Sequence, residues 1–174
     1  VSMETNTSSI FRLFQCFGVK ELQPVTDDQY IGILDIGHAW ATFALYTRAG
    51  LTVCSRTVSF KRFDQKKKTD TVLPDAIVDI LVEVVEETML YFDRKDVLPS
   101  LIILAGVEAV KRELVDALNK KMKKTDIRLM GDCVKVKSYS EKDMQKFGAA
   151  IGAALRAARP HSFVYQPNFI NTLL

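Results

Sequence analysis

The hydrophobic pattern nearest the start of the chain is helical. Over residues 10–22, apolar side chains recur on one side of a helix, which is typical of an amphipathic helix. The preceding residues 1–9 are mostly polar and are expected to form a disordered tail. A helix this short needs tertiary packing to persist, so residues 10–29 are predicted to be a helix and linker that cover either the domain itself or a partner. The aromatic candidates for that contact are Phe11, Phe14 and Phe17.

Three strand-like apolar runs follow, over residues 30–35, 40–47 and 51–61. The short turn between the second and third runs contains Gly50, which can adopt a positive φ, so these two runs are predicted to form a hairpin. A charged run, KRFDQKKK, then occupies residues 61–68. Such runs are usually solvated loops, and the alternative is a basic patch that contacts a partner through Lys66, Lys67 and Lys68.

After Pro74 the pattern alternates between helices and strands. Proline at the start and acidic residues early in the next segment fit the beginning of a long amphipathic helix. The polar face of this helix carries four acidic candidates for partner contact, namely Asp79, Glu83, Glu86 and Glu87. The predicted elements are a helix over 75–94, a strand over 100–106, a helix over 107–124, short strands over 127–130 and 134–137, and a helix over 141–158.

The order of the predicted elements after the first helix is βββαβαβα. Alternating strands and helices after an opening hairpin predict an α/β domain over residues 30–159, with a mixed β-sheet and helices packed on it. The last helix contains FGAAIGAALRAA, in which Gly148 and Gly152 are four residues apart. Small residues at this spacing predict that the helix approaches another backbone closely.

Composition excludes several classes of function. A net charge of +3 is too small to indicate nucleic-acid binding, which needs clustered cations, so no nucleic-acid partner is expected. A basic nucleic-acid module would rest only on the three lysines at 66–68. The three cysteines share no CxxC spacing and indicate reduced thiols, and two histidines are too few for a histidine-based metal centre. No catalytic motif such as GxSxG or GxxxxGK[ST] occurs in the chain.

The most informative stretch is YIGILDIGHAWAT at residues 30–42. Asp35 and Gly37 form an Asp-x-Gly at the end of a strand, which is typical of a phosphate-binding turn in several nucleotide-binding folds. The next residues include His38 and Trp40, whose bulk leaves little room for phosphate. The more economical interpretation is that Asp35 and Gly37 shape a tight exit from the strand.

Three motifs in this order resemble the second half of the actin-like (ribonuclease H-like) fold. They are ILDIG at 33–37, LIILAGVEAVKRELVDALNKKM at 101–122 and FGAAIGAALRA at 147–157. More narrowly, the chain resembles PilM, the actin-like protein of type IV pilus assembly, and the cytoplasmic domain of the L component of type II secretion. PNFINTLL at 167–174 is similar to a segment that lies just ahead of a membrane helix in these systems, so residues 160–174 are expected to lead towards such a helix.

The resemblance also has implications for nucleotide binding at the Asp-x-Gly turn. Where family members bind nucleotide, small or hydroxyl residues follow the Asp-x-Gly turn, and two glycines form the adenosine turn. This chain departs from both patterns and has fewer than thirty residues ahead of Tyr30, too few for the other half of an actin-like cleft. We therefore expect no cofactor, no metal and no catalytic residue. The vestiges are a phosphate turn at Asp35 and Gly37 and an adenosine turn at Ala105 and Gly106.

The implied function is that of a non-catalytic scaffold on the cytoplasmic face of the bacterial inner membrane. The machine would be a type IV pilus of the bundle-forming, type IVb kind or a type II secretion system. The implied partners are the hexameric secretion ATPase and the polytopic inner-membrane platform protein. A homodimer is a further expectation, because apolar segments at both ends of the sequence need cover. The alternative is a nucleotide-binding domain of the actin and sugar-kinase class that is completed by another chain.

Overall fold

A single mixed sheet organises the domain in the computed structural model, which describes residues 5–22, 29–59, 75–91, 99–106 and 112–158. Its strands are β1 (Ile31–Ile36), β2 (Trp40–Tyr46), β3 (Thr52–Ser59), β4 (Leu101–Ala105) and β5 (Asp126–Leu129). The helices are α1 (Asn6–Phe17), α2 (Asp75–Tyr91), α3 (Arg112–Lys121), α4 (Met130–Cys133) and α5 (Glu141–Ala158). A short 3₁₀ turn, Lys20–Leu22, follows α1.

The order of strands across the sheet is β3-β2-β1-β4-β5. The pairs β1–β2 and β2–β3 are antiparallel, and β1–β4 and β4–β5 are parallel. This arrangement confirms the predicted α/β fold class with a mixed sheet and the order βββαβαβα, to which the short helix α4 is added between β5 and the last helix. It also places β1 at the centre, where every residue of the strand is buried because helices cover both faces of the sheet.

Two apolar cores lie on opposite faces of this sheet. Alternate residues of the central strands point to opposite faces, so Leu34 and Ile36 belong to one core while Ile31 and Ile33 belong to the other. Helices α2 and α3 cover the first core. Helices α1, α4 and α5 cover the second. The amphipathic pattern of α1 is thus explained by the chain's own core.

Helix α1 begins earlier than the polar composition of its first residues suggests. The Thr5 hydroxyl accepts a hydrogen bond from the backbone N–H of Ser8 at 3.3 Å and caps the helix. Thr7 and Ser8 are buried and hydrogen-bond through their hydroxyls to the Tyr46 hydroxyl at 3.0 and 3.1 Å. Assigning residues 5–9 to a disordered tail was therefore wrong, because a cap and a buried hydroxyl network offset their polarity.

The predicted close approach of the last helix to another backbone is confirmed at Gly152. A Cβ on this residue would lie only 1.9 Å from the Ser9 carbonyl oxygen of α1. The buried Arg12 side chain donates a hydrogen bond to the Gly152 carbonyl at 3.2 Å across the same crossing. Gly148 is also buried, but a Cβ there would meet its nearest neighbour at an ordinary 3.6 Å.

One predicted strand does not form. The chain turns into α4 directly after β5, and the 134–137 stretch pairs with none of the five strands of the sheet. Val134 instead makes an isolated antiparallel bridge with Gly18. The charged run 61–68 and the 160–174 segment lie outside the described residues. In the described part of the chain, no helix combines the length and apolar character needed to cross a membrane.

Candidate functional site

The two turns singled out in the sequence lie side by side at the carboxyl ends of two neighbouring strands, β1 and β4. Asp35 and Ala105 are register partners of the parallel strands β1 and β4, so the exits of both strands meet at the same place. A cavity of about 330 Å³ opens there. Its lining includes Asn6, Asp35, Gly37, His38, Trp40, Ala105, Gly106, Gln145 and Lys146.

Asp35 is the buried charged group of this cavity. The residue is only 5 % exposed, and its Oδ2 accepts a hydrogen bond from the Asn6 side chain at 3.2 Å. Burial raises the pKa of the Asp35 carboxyl above its ordinary value, and the hydrogen bond from Asn6 opposes this effect. Because Asn6 lies in the first turn of α1, the positive end of the helix dipole also faces this carboxylate.

Gly106 is required by the packing of the two strand exits. Its φ is +96°, a conformation that L side chains rarely adopt. A Cβ on this residue would lie 2.4 Å from the Ile36 carbonyl oxygen and 2.6 Å from Asp35 Oδ1. The local backbone geometry and packing are therefore enough to explain why a glycine stands at the predicted adenosine turn.

The backbone amides of the glycines in both turns are engaged within the protein. The N–H of Gly37 donates to the Trp40 carbonyl at 2.9 Å, and the N–H of Gly106 donates to the Gln145 carbonyl at 3.3 Å. The indole of Trp40 packs beside Gly37, where a built Cβ would lie 3.5 Å from the ring. His38 is exposed, and Trp40 is 41 % exposed. Each of the two turns thus directs its glycine N–H to a carbonyl oxygen, and the Trp40 ring packs against the turn that contains Gly37.

Two residues of the site escaped sequence reasoning. Gln145 is 3 % exposed and joins three elements, because its Nε2 donates to the Leu104 carbonyl at 2.8 Å and its Oε1 accepts the Gly131 N–H at 3.4 Å. Its position beside Met144 on the buried face of α5 was the available signal. Asn6 was assigned to the polar tail, so its contact with a strand exit could not be foreseen.

Among the described residues that line the cavity, Asp35 is the one carboxylate. In the described ranges, no three His, Cys, Asp or Glu side chains are grouped so that they could hold a metal ion. A divalent cation usually takes several oxygen ligands, which these described residues do not supply.

The structure leaves one of the three phenylalanines of α1 accessible for contact with a partner. Phe11 and Phe14 are 1 % and 0 % exposed, since they pack in the core that α1 covers, so neither is available at the surface of the intact domain. Phe17 at the end of the helix is 39 % exposed. The partner-contact role of this helix can therefore rest on Phe17 but not on the other two.

The acidic candidates on α2 divide into two pairs. Asp79 forms an ion pair with Lys121, and Glu87 forms one with Arg56. Glu83 and Glu86 are exposed. The basic candidates Lys66, Lys67 and Lys68 lie outside the described residues.

Comparisons with known proteins support the same fold. No protein-family model and no curated protein matches the sequence. Among solved structures, the chain is similar to one described as a PilM-PilN type IV pilus biogenesis complex, with 20% identity, a TM-score of 0.54, and coverage of 90% of this chain and 52% of that chain. It is also similar to Ta0583, an archaeal actin homolog, with 16% identity, a TM-score of 0.55, and coverage of 91% and 55% respectively.

The chain therefore spans about half the length of these solved structures. At such identities the similarity shows the fold alone. Together with the sheet order and the position of the two turns, it establishes that residues of this chain form a domain of the actin-like fold.

Proposed function

We propose that this chain is a non-catalytic actin-like scaffold domain that works by binding other proteins. The observation that carries the proposal is the engagement of the turn amides. Gly37 of the vestigial phosphate turn and Gly106 of the vestigial adenosine turn both donate their N–H groups to main-chain carbonyls. A nucleotide phosphate would have to break these hydrogen bonds and displace the Trp40 ring, which is costly for groups this close to the core.

The resemblance in sequence and fold supports a place in a type IV pilus or type II secretion machine. One similar solved structure is described as a PilM-PilN complex, in which a PilM protein is bound to its partner. The narrower resemblance is to BfpC, the inner-membrane assembly component of the bundle-forming pilus. On this proposal the domain sits at the cytoplasmic face of the inner membrane and binds the hexameric secretion ATPase and the polytopic platform protein.

The exposed acids of α2 are the best-defined docking surface for such a partner. Glu83 and Glu86 lie on the same helix, three residues apart, and therefore neighbour each other on its surface. Neither carboxylate is held in a salt bridge with another described residue, unlike Asp79 and Glu87. A partner with a basic surface could neutralise both without first breaking an ion pair to a described residue.

The test is binding of the purified secretion ATPase to the immobilised chain. Glu83→Lys with Glu86→Lys should weaken binding by about tenfold or more, because two attractive contacts become repulsive. The matched control is Glu113→Lys with Asp116→Lys on α3, which reverses two exposed charges on a neighbouring helix. A second variant reverses the charges of Lys66, Lys67 and Lys68. Unchanged binding in the α2 variant would remove α2 as the docking surface, and no binding of the unmodified chain would overturn the scaffold role.

A further inference from the structure

The cavity at the strand exits contains a charge that the fold only partly compensates. Asp35 is 5 % exposed and lines the cavity, yet the hydrogen bond to its carboxylate comes from a single neutral amide, that of Asn6. An ionised carboxylate accepts up to about four hydrogen bonds. Burial of a charge is costly without a partner of opposite sign, and no described cation forms a salt bridge with this residue.

We propose that this cavity binds an organic cation, an alkylammonium or guanidinium group, with Asp35 as its counter-ion and Trp40 as an aromatic wall. The proposal concerns the chain's own cavity and stands whether or not the scaffold role is correct.

The composition of the cavity favours a cation over an anion. An anion would face the Asp35 carboxylate and would find the N–H groups of Gly37 and Gly106 already donated to carbonyls. A cation would be attracted both by the carboxylate and by the face of the indole. The rest of the wall is largely apolar, including Ile10, Ile36, Ala39, Ala105 and Ala149, and would surround an alkyl stem.

Size and charge further define the ligand. A volume of about 330 Å³ is at the lower end of the range of small-molecule sites, about 300–1,000 Å³. This suits a short amine or one long side chain better than a complete nucleotide. The described lining residues include a single carboxylate and so do not supply the several oxygen ligands that a divalent metal needs.

Among the described lining residues, two other side chains are titratable, and both are exposed. They are His38 on the turn after β1 and Lys146 on α5. Their exposure places them towards the solvent side, whereas Asp35 is enclosed. A positive charge on Lys146 opposes a cationic ligand and favours an anionic one, so the sign of its effect on binding reports the charge of the ligand.

The chain offers a direct reporter, because Trp40 is its only tryptophan. Intrinsic fluorescence is titrated with n-butylammonium and with the methylamide of Nα-acetylarginine, and n-butanol serves as the neutral control of similar shape. We expect saturable changes with both cations and none with the alcohol. Equal binding of the alcohol would show an apolar pocket without charge recognition and would overturn the proposal.

Two variants test the assignment. Asp35→Asn keeps an oxygen that can accept the hydrogen bond from Asn6, so the fold is preserved while the charge is lost, and circular dichroism verifies this. We expect it to weaken cation binding by about tenfold or more. Lys146→Gln should strengthen binding by about two- to threefold, because a like charge is removed. Effects of the opposite sign would identify an anion site, and unchanged affinity in Asp35→Asn would move the ligand elsewhere; either result overturns the proposal.

The source of the cation is distinguished with a capped peptide, acetyl-Ala-Ala-Lys-Ala-Ala-amide, compared with n-butylammonium. Tighter binding of the peptide supports a basic side chain of a partner protein. Binding of the free amine alone supports a small amine. Both results retain Asp35 as the counter-ion, and failure of both ligands to bind contradicts it.

Discussion

The crossing of α1 and α5 makes a sharp prediction about two glycines of the same helix. Gly152 faces the backbone of α1, and a Cβ there would lie 1.9 Å from the Ser9 carbonyl oxygen and 2.5 Å from its carbonyl carbon. Gly148, one turn earlier, would place a Cβ 3.6 Å from the Met130 side chain and 3.8 Å from that of Leu13. The Cβ of an alanine would therefore clash with α1 at position 152, whereas it would fit at position 148.

The magnitudes follow from this geometry. At Gly148, alanine gains helix propensity worth up to about 1 kcal/mol and meets only ordinary contacts. At Gly152 the same gain is opposed by overpacking against a rigid backbone, and the helices must separate by roughly 1.5 Å to restore a normal contact. Overpacking costs about 1–3 kcal/mol, and backbone contacts fall at the upper end, so the net loss at Gly152 is about 2 kcal/mol.

The assay is thermal unfolding of Gly148→Ala and Gly152→Ala followed by circular dichroism. For a domain of this size, 1 kcal/mol shifts Tm by about 2–4 °C, so Gly152→Ala should unfold about 4–8 °C lower than the unmodified chain. Gly148→Ala should unfold at the same temperature or a few degrees higher. If Gly152→Ala matched Gly148→Ala, the described crossing of the helices would be wrong.

Three further predictions concern the site and the cap of α1. Asp35→Asn should raise Tm at pH 7, because the pKa of the native carboxyl lies above its unfolded value of 3.8 and the native state loses stability as pH rises through the native pKa. The difference in Tm between the variant and the unmodified chain should shrink on acidification towards pH 4. A difference that stays constant from pH 7 to pH 4 would contradict this prediction. Gly106→Ala should lower the free energy of unfolding, measured by urea denaturation, by about 2 kcal/mol or more, because the residue has a φ of +96° and a Cβ would clash with Ile36. An unchanged free energy of unfolding would show that the turn is described wrongly. Thr5→Ala should cost about 1 kcal/mol by loss of the cap while Thr5→Ser retains stability, and equal stability of the two variants would show that the cap is not formed.

Much of the fold could be predicted because the core patterns are local. The apolar runs of β1 and β2, the helical spacing of α2 and the small residues of α5 are each local signals of their own element. The start of α1 could not be predicted in this way, because the buried hydroxyls of Thr7 and Ser8 find their hydrogen-bond partner in Tyr46, which is distant in the sequence. Polarity alone cannot distinguish such residues from a disordered tail.

The site was predictable in position but not in detail. The Asp-x-Gly motif located the exit of β1, and the parallel pairing with β4 brought the second turn beside it. Asn6 and Gln145 reach the same place from two helices, and no sequence pattern links them to Asp35. The engagement of the Gly37 amide depends on the path of the turn back to Trp40, which only three-dimensional geometry defines.

The measurement that tests the central claim most directly is isothermal titration calorimetry of Mg·ATP into this chain. We expect no saturable heat up to millimolar nucleotide, because the amides of Gly37 and Gly106 are already donated to carbonyls and Trp40 packs against the turn. Stoichiometric binding whose affinity changes in Asp35→Asn would place nucleotide at the strand exits and contradict the proposal that the domain acts only as a scaffold.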